Sequence, residues 1–138
     1  MKQFTKKFIL CGLTGWGFEC FFTGCKGIIK HKKTLPCTTS LWMFGIYGMG
    51  YLIEPIYKCI KNLPQIIRGF IYTTLIFTTE YISGTILKEH KACPWDYSKA
   101  KYNFKGVIRL DYAPLWFIVV LIYEKILITL NKAESFIS

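Results

Sequence analysis

The sequence predicts an all-α membrane protein: a four-transmembrane-helix bundle with both termini on the same side and a long polar third connector. Three observations carry this reading. Hydrophobic residues make up 52% and aromatic residues 17% of the 138-residue chain, with a mean hydropathy of +0.31, more apolar than a soluble domain usually is. The 18 Lys/Arg outnumber the 8 Asp/Glu for a net charge of +10, yet the cations fall almost entirely between apolar runs, as juxtamembrane charges do. No basic stripe survives once those runs are removed, which argues against nucleic acid as a partner. The runs themselves cover about 8–24, 40–57, 69–87 and 112–130, within one polytopic domain of residues 1–138.

The first run follows a basic head (Lys2, Lys6, Lys7) and has the outline of a signal peptide. It lacks a small-residue cleavage site and carries Trp16, Glu19 and two Phe in its second half, so it is read as a retained first span. A connector with Lys26, Lys30, Lys32 and Lys33, closed by Pro36, leads to the second run, where Gly45, Gly48 and Gly50 allow close helix approach and Pro55 sits near the exit. A short turn with Lys58, Lys61, Pro64 and Arg68 precedes the third run. Its length, at about 1.5 Å per residue, gives roughly 28 Å, close to the hydrocarbon thickness of about 30 Å. Residues 88–111 are too long for a bare turn and are rich in Trp, Tyr, Asp and Asn; Pro114 is tolerated in the first turn of the fourth run, and 131–138 reads as a short tail without a targeting signal. Lys and Arg divide almost evenly between the two sides, so the charge rule does not set the orientation, and the sequence names no particular membrane.

Each run holds one acidic residue: Glu19, Glu54, Glu80 and Glu124. A charge near the bilayer centre costs about 2.5 to 3.5 kcal/mol on insertion scales, so these carboxylates need partners, protonation or water. On a helix, Glu80 shares its face with Thr73, Ile76, Phe77, Ser83, Gly84 and Leu87, and Glu19 with Gly12, Gly15, Trp16, Phe22 and Thr23. Glu54 shares one with Tyr47, Gly50 and Tyr51, whereas Glu124 is surrounded by Phe117, Val120, Leu121, Leu127 and Ile128 and reads as the weakest member of any shared site. Counting to the span ends puts Glu19 and Glu80 roughly 7 and 10 Å below the face of the first and third connectors, where they are expected to share a proton or a cation. Glu54 and Glu124 lie nearer the opposite face. The alternative is that these carboxylates hydrogen-bond across helices and only fix packing.

The third connector opens with Cys93-Pro94-Trp95-Asp96-Tyr97-Ser98. Pro94 stiffens it, Trp95 and Tyr97 suit the head-group boundary, and Asp96 and Ser98 can cap local backbone donors, so it is either an interfacial anchor or a lid over Glu19 and Glu80. Together with GWGFE at 15–19, IYGMG at 46–50, EYISG at 80–84, NFKG at 103–106 and the later LDYAPLWF, this WDYS turn resembles the putative ABC-transporter type IV (CmpB) family, especially its eukaryotic relatives, the transmembrane protein 229 group. The resemblance implies a multi-pass membrane protein. Every nucleotide-binding motif is missing from the sequence, and the chain is shorter than an ordinary permease, so transport would need oligomerisation or a partner membrane subunit.

The candidate ligand-binding or gating residues are therefore Glu19, Glu80, Tyr81, Trp95, Asp96, Tyr97 and Ser98, with Tyr47, Glu54 and Asn103 as secondary candidates. The favoured reading is a transport or ligand-binding membrane component. Two alternatives are an intramembrane lipid-modifying enzyme using Glu80 with Asp96 as acid and base, and a structural partner of another membrane protein. No HExxH, Ser/His/Asp set or Gly-rich phosphate loop occurs, His31 and His90 read as solvated, and no cofactor or metal is expected. Beyond the lipid bilayer, Lys88, Lys91, Lys99 and Lys101 could meet anionic lipid head groups. The six cysteines have no zinc-site spacing and read as free thiols, a bridge among Cys25, Cys37 and Cys93 being open if their side is oxidising.

Overall fold

The computed structural model describes residues 2–29, 31 and 33–137, and the side chains of these from 3 to 133; Lys30 and Lys32 of the first connector lie outside the described residues. The described chain is mostly helical: α1 (Lys2–Ile29), α2 (Leu41–Gly48), a 3-10 turn (Met49–Leu52), α3 (Ile53–Ile60), α4 (Gln65–Glu89), a hairpin of β1 (Asn103–Phe104) and β2 (Ile108–Arg109), a second 3-10 turn (Leu110–Tyr112) and α5 (Ala113–Ile137). Among the described residues, two helices are long and apolar enough to cross a membrane, Gln3–Ile29 and Leu110–Ala133.

The departures from expectation have local causes. The second apolar run is divided between α2 and α3. Pro55 has no N–H to donate and its ring would meet the carbonyl of Tyr51, so it is accommodated in the first turn of a new helix. The expected tail is the end of α5, because neither Gly nor Pro follows Pro114 to stop the helix. The third connector contains a hairpin that alternation alone does not announce in strands of two residues. Its turn has φ of +52° at Lys105 and +69° at Gly106, the two positive values a type I′ turn requires.

The chain forms two compact units, Met1–Tyr51 and Leu52–Ser138. In the first, α1 and α2 pack glycine against aromatic ring. A Cβ at Gly12 would come within 2.6 Å of Phe44 and one at Gly48 within 2.6 Å of Phe8, while Gly15 receives Tyr47. This exchange of small and aromatic residues is what lets two apolar helices approach closely. In the second unit, α4 buries Gly69, Tyr72, Thr73, Glu80, Gly84 and Leu87, and α5 buries Val120, Tyr123, Glu124 and Leu127. Both sets follow the spacing of one helical face. The α4 set includes Thr73, Gly84 and Leu87 of the face read around Glu80.

Candidate functional site

Glu80 projects from the middle of α4 and is only 8% exposed. The indole nitrogen of Trp116, on the first turns of α5, faces its carboxylate. Among the described residues Glu80 takes part in no ion pair. One turn further on, Gly84 leaves room for the third connector: a Cβ there would lie 3.0 Å from Val107 and 3.1 Å from the Trp95 ring. The Trp95 indole donates to the Val107 carbonyl at 2.9 Å, so the two residues that rest on Gly84 also hold each other.

The connector above is knit by its own polar groups. Asp96 Oδ1 accepts from the Ser98 backbone N–H at 3.0 Å and from the Ser98 hydroxyl at 2.5 Å. Those bonds, the hydroxyl first, hold the Asp96 carboxyl below the usual aspartate range. Asn103 donates to the Ala100 carbonyl at 2.6 Å and accepts from the Gly106 N–H at 3.0 Å, while the Tyr97 N–H reaches the Gly106 carbonyl at 2.9 Å. Gly106 is required twice over: its φ is positive, and a Cβ would collide with Ser98 Oγ and Lys88 Nζ. Two lysines tie the hairpin turn to α4, Lys105 Nζ donating to the Tyr81 hydroxyl at 2.9 Å and Lys88 Nζ to the Lys105 carbonyl at 3.3 Å. At the exit, Arg109 forks onto Asp111 at 2.8 to 3.0 Å and depresses the Asp111 carboxyl in the same way. Tyr81, Trp95, Asp96, Tyr97, Ser98 and Asn103 therefore belong to one construction. Asp96 itself is exposed and engaged with Ser98, and it serves the loop.

Glu124, read from the sequence as the weakest member of any shared site, has partners of its own. It is 3% exposed, receives Arg68 through Nε at 2.9 Å and Nη2 at 2.8 Å, and accepts from the Tyr72 hydroxyl at 2.7 Å. Tyr72 is itself 1% exposed. Arg68, Tyr72 and Trp116 were not singled out by sequence reasoning. The signal for Arg68 was present: the expected spans put Glu124 toward the end where the second connector lies, and Arg68 is that connector's last cation. What linear reading lacked was the contact between α4 and α5.

The remaining candidates have partners of their own. Glu54 pairs with Lys58 at 2.9 Å one turn along α3. With Tyr57, Ile128, Asn131 and Lys132 these two line an open cleft of about 240 Å³. In the first unit, Tyr47 packs on Gly15, and Glu19 accepts from the Thr39 hydroxyl at 2.6 Å. The exposed, irregular connector thus runs back alongside α1 at the level of Glu19. Cys37 lies against Cys20, and all six cysteines are free thiols. Among the described residues no group of three His, Cys, Asp or Glu is gathered that could hold a metal.

These features define a helical, membrane-associated protein with a buried acidic residue beneath a polar cap. A model of the family described as Putative ABC-transporter type IV matches residues 6–137, and the chain belongs to that family. No solved structure matches it.

Proposed function

We propose that the chain is a multi-pass membrane transport component that crosses the bilayer four times, by α1, by the helical run from Leu41 to Ile60, by α4 and by α5, and that Glu80 is the carboxylate that takes up a proton or a small cationic ligand. The support for α4 as a crossing is its outer surface. Ile66 and Phe70 near its start and Ile82 and Ile86 near its end are 51 to 65% exposed. Between Gly69 and Leu87 the only charge is Glu80, which faces inward. Thr73, Thr74, Thr78, Thr79, Ser83 and Thr85 each donate their hydroxyl to the carbonyl four residues back, at 2.7 to 3.0 Å. A helix whose polar side chains satisfy themselves is compatible with lipid, which offers no partners.

The observation that carries the functional reading is the burial of Glu80 without a cation, one turn below the seat of Trp95 on Gly84. An intramembrane carboxylate left in that state is expensive unless it is used. The knit connector, with Trp95, Asp96 and Tyr97, is then the gate. The exposed backbone beside Glu19 needs water, which supports a position for Glu19 near the membrane surface. The family's description as a transporter type supports transport.

Reconstitution into vesicles with a pH-sensitive dye inside tests the reading. Wild type should dissipate an imposed proton or monovalent-cation gradient, and Glu80→Gln should lose that flux while keeping its helical circular dichroism. Equal flux from the two folded proteins would remove Glu80 from the function and leave the role of a partner subunit.

A further inference from the structure

The first connector carries a feature that transport does not use. Three hydrogen bonds lay it against α1: the Trp16 indole donates to the Ser40 carbonyl at 3.0 Å, the Thr39 hydroxyl to Glu19 Oε2 at 2.6 Å, and the Thr38 N–H to Thr23 Oγ1 at 3.2 Å. Each residue back along the connector advances three or four along the helix, so all these contacts lie on one flank of α1. Cys37 follows on the connector, and its thiol is within hydrogen-bonding reach of the thiol of Cys20, which sits between Glu19 and Thr23 on the same flank.

We propose that Cys20 and Cys37 are a disulfide-forming pair, a modification site that cross-links the first connector to α1. Both are free thiols here, Cys37 exposed and Cys20 half-buried. Residues 33–39 are exposed and irregular, and such backbone requires water, so a soluble oxidant can reach Cys37. The chemistry is exchange with a small disulfide RSSR. The Cys37 thiolate attacks one sulfur and expels RS⁻, forming a mixed disulfide. The Cys20 thiolate then attacks Cys37 Sγ and expels the second RS⁻. The two thiol protons end on two RSH, the protein is oxidised by two electrons and RSSR is reduced. The bridge persists only where the connector faces an oxidising compartment, so its presence in cells also reports which side that connector occupies.

The test incubates the full-length protein in vesicles with oxidised glutathione, blocks the remaining thiols with a maleimide and maps the peptides by mass spectrometry. The expected result is a peptide linking Cys20 to Cys37, with maleimide labelling lost at both together. Cys25→Ser should keep the bridge, whereas Cys20→Ser or Cys37→Ser should abolish it and leave the other residue labelled. Continued labelling of both in the folded wild type, a stable glutathione adduct on Cys37, or a Cys25–Cys37 peptide would overturn the proposal. Should Cys20→Ser fail to fold, Cys37→Ser, altered only on the exposed connector, decides the matter.

Discussion

Two buried carboxylates meet the contact between α4 and α5 in opposite conditions. Glu124 is answered on every side, by a forked Arg68 and by the Tyr72 hydroxyl. Glu80 is about as hidden and faces an indole, with no cation among the described residues. Tyr72 and Glu80 are two turns apart, roughly 12 Å along α4 at 1.5 Å per residue. The difference separates a structural clamp from a group whose charge state is left open. A paired charge stabilises only as a pair, because removing one member leaves the other buried and unanswered.

The largest effect should therefore come from breaking the clamp. Glu124→Gln or Arg68→Met should each lower unfolding stability by about 3 to 5 kcal/mol, while the double change Arg68→Met with Glu124→Leu should recover most of the loss. Denaturant titration in detergent measures all three, and an additive double variant would mean that the pair is not a unit. A smaller effect is expected where the connector seats. Gly84→Leu should cost about 1 to 3 kcal/mol by displacing Trp95 and Val107, read as a shift of tryptophan emission; an unshifted spectrum would put the cap elsewhere.

Acid should loosen the cap. The Asp96 carboxyl titrates lower folded than unfolded, so its contribution is fully present above the ordinary aspartate pKa of about 3.9 and is lost as pH falls through the lower folded value. Amide exchange at Ser98 should stay protected at about pH 5, where the carboxyl is ionised, and open in stronger acid. Asp96→Asn should remove that pH dependence. The smallest stability change belongs to Glu80→Gln, within about 1 kcal/mol of wild type and upward if anything, because a neutral amide avoids burying a charge.

Much of this was legible before any coordinates. Thr73, Gly84 and Leu87 share a face with Glu80 by helical period alone, and α4 buries them. The WDYS and NFKG segments, noticed separately, turn out to be two halves of one hydrogen-bonded loop through Tyr97, Asn103 and Gly106. Period cannot show a partner on another helix, which is why Arg68 is not assigned to Glu124, nor Trp116 to Glu80, from the sequence. Nor could span counting show that the first connector doubles back along α1 beside Glu19. The break between α2 and α3 was within reach, since Pro55 was already visible, but its distance from the end of the run was read as tolerable.

The contrast between the two carboxylates is tested most directly by unfolding Glu80→Gln and Glu124→Gln side by side in the same detergent at neutral pH. The account predicts that Glu124→Gln falls well below wild type while Glu80→Gln matches or exceeds it. Equal losses for the two variants would contradict it, because Glu80 would then be as much a part of the clamp as Glu124.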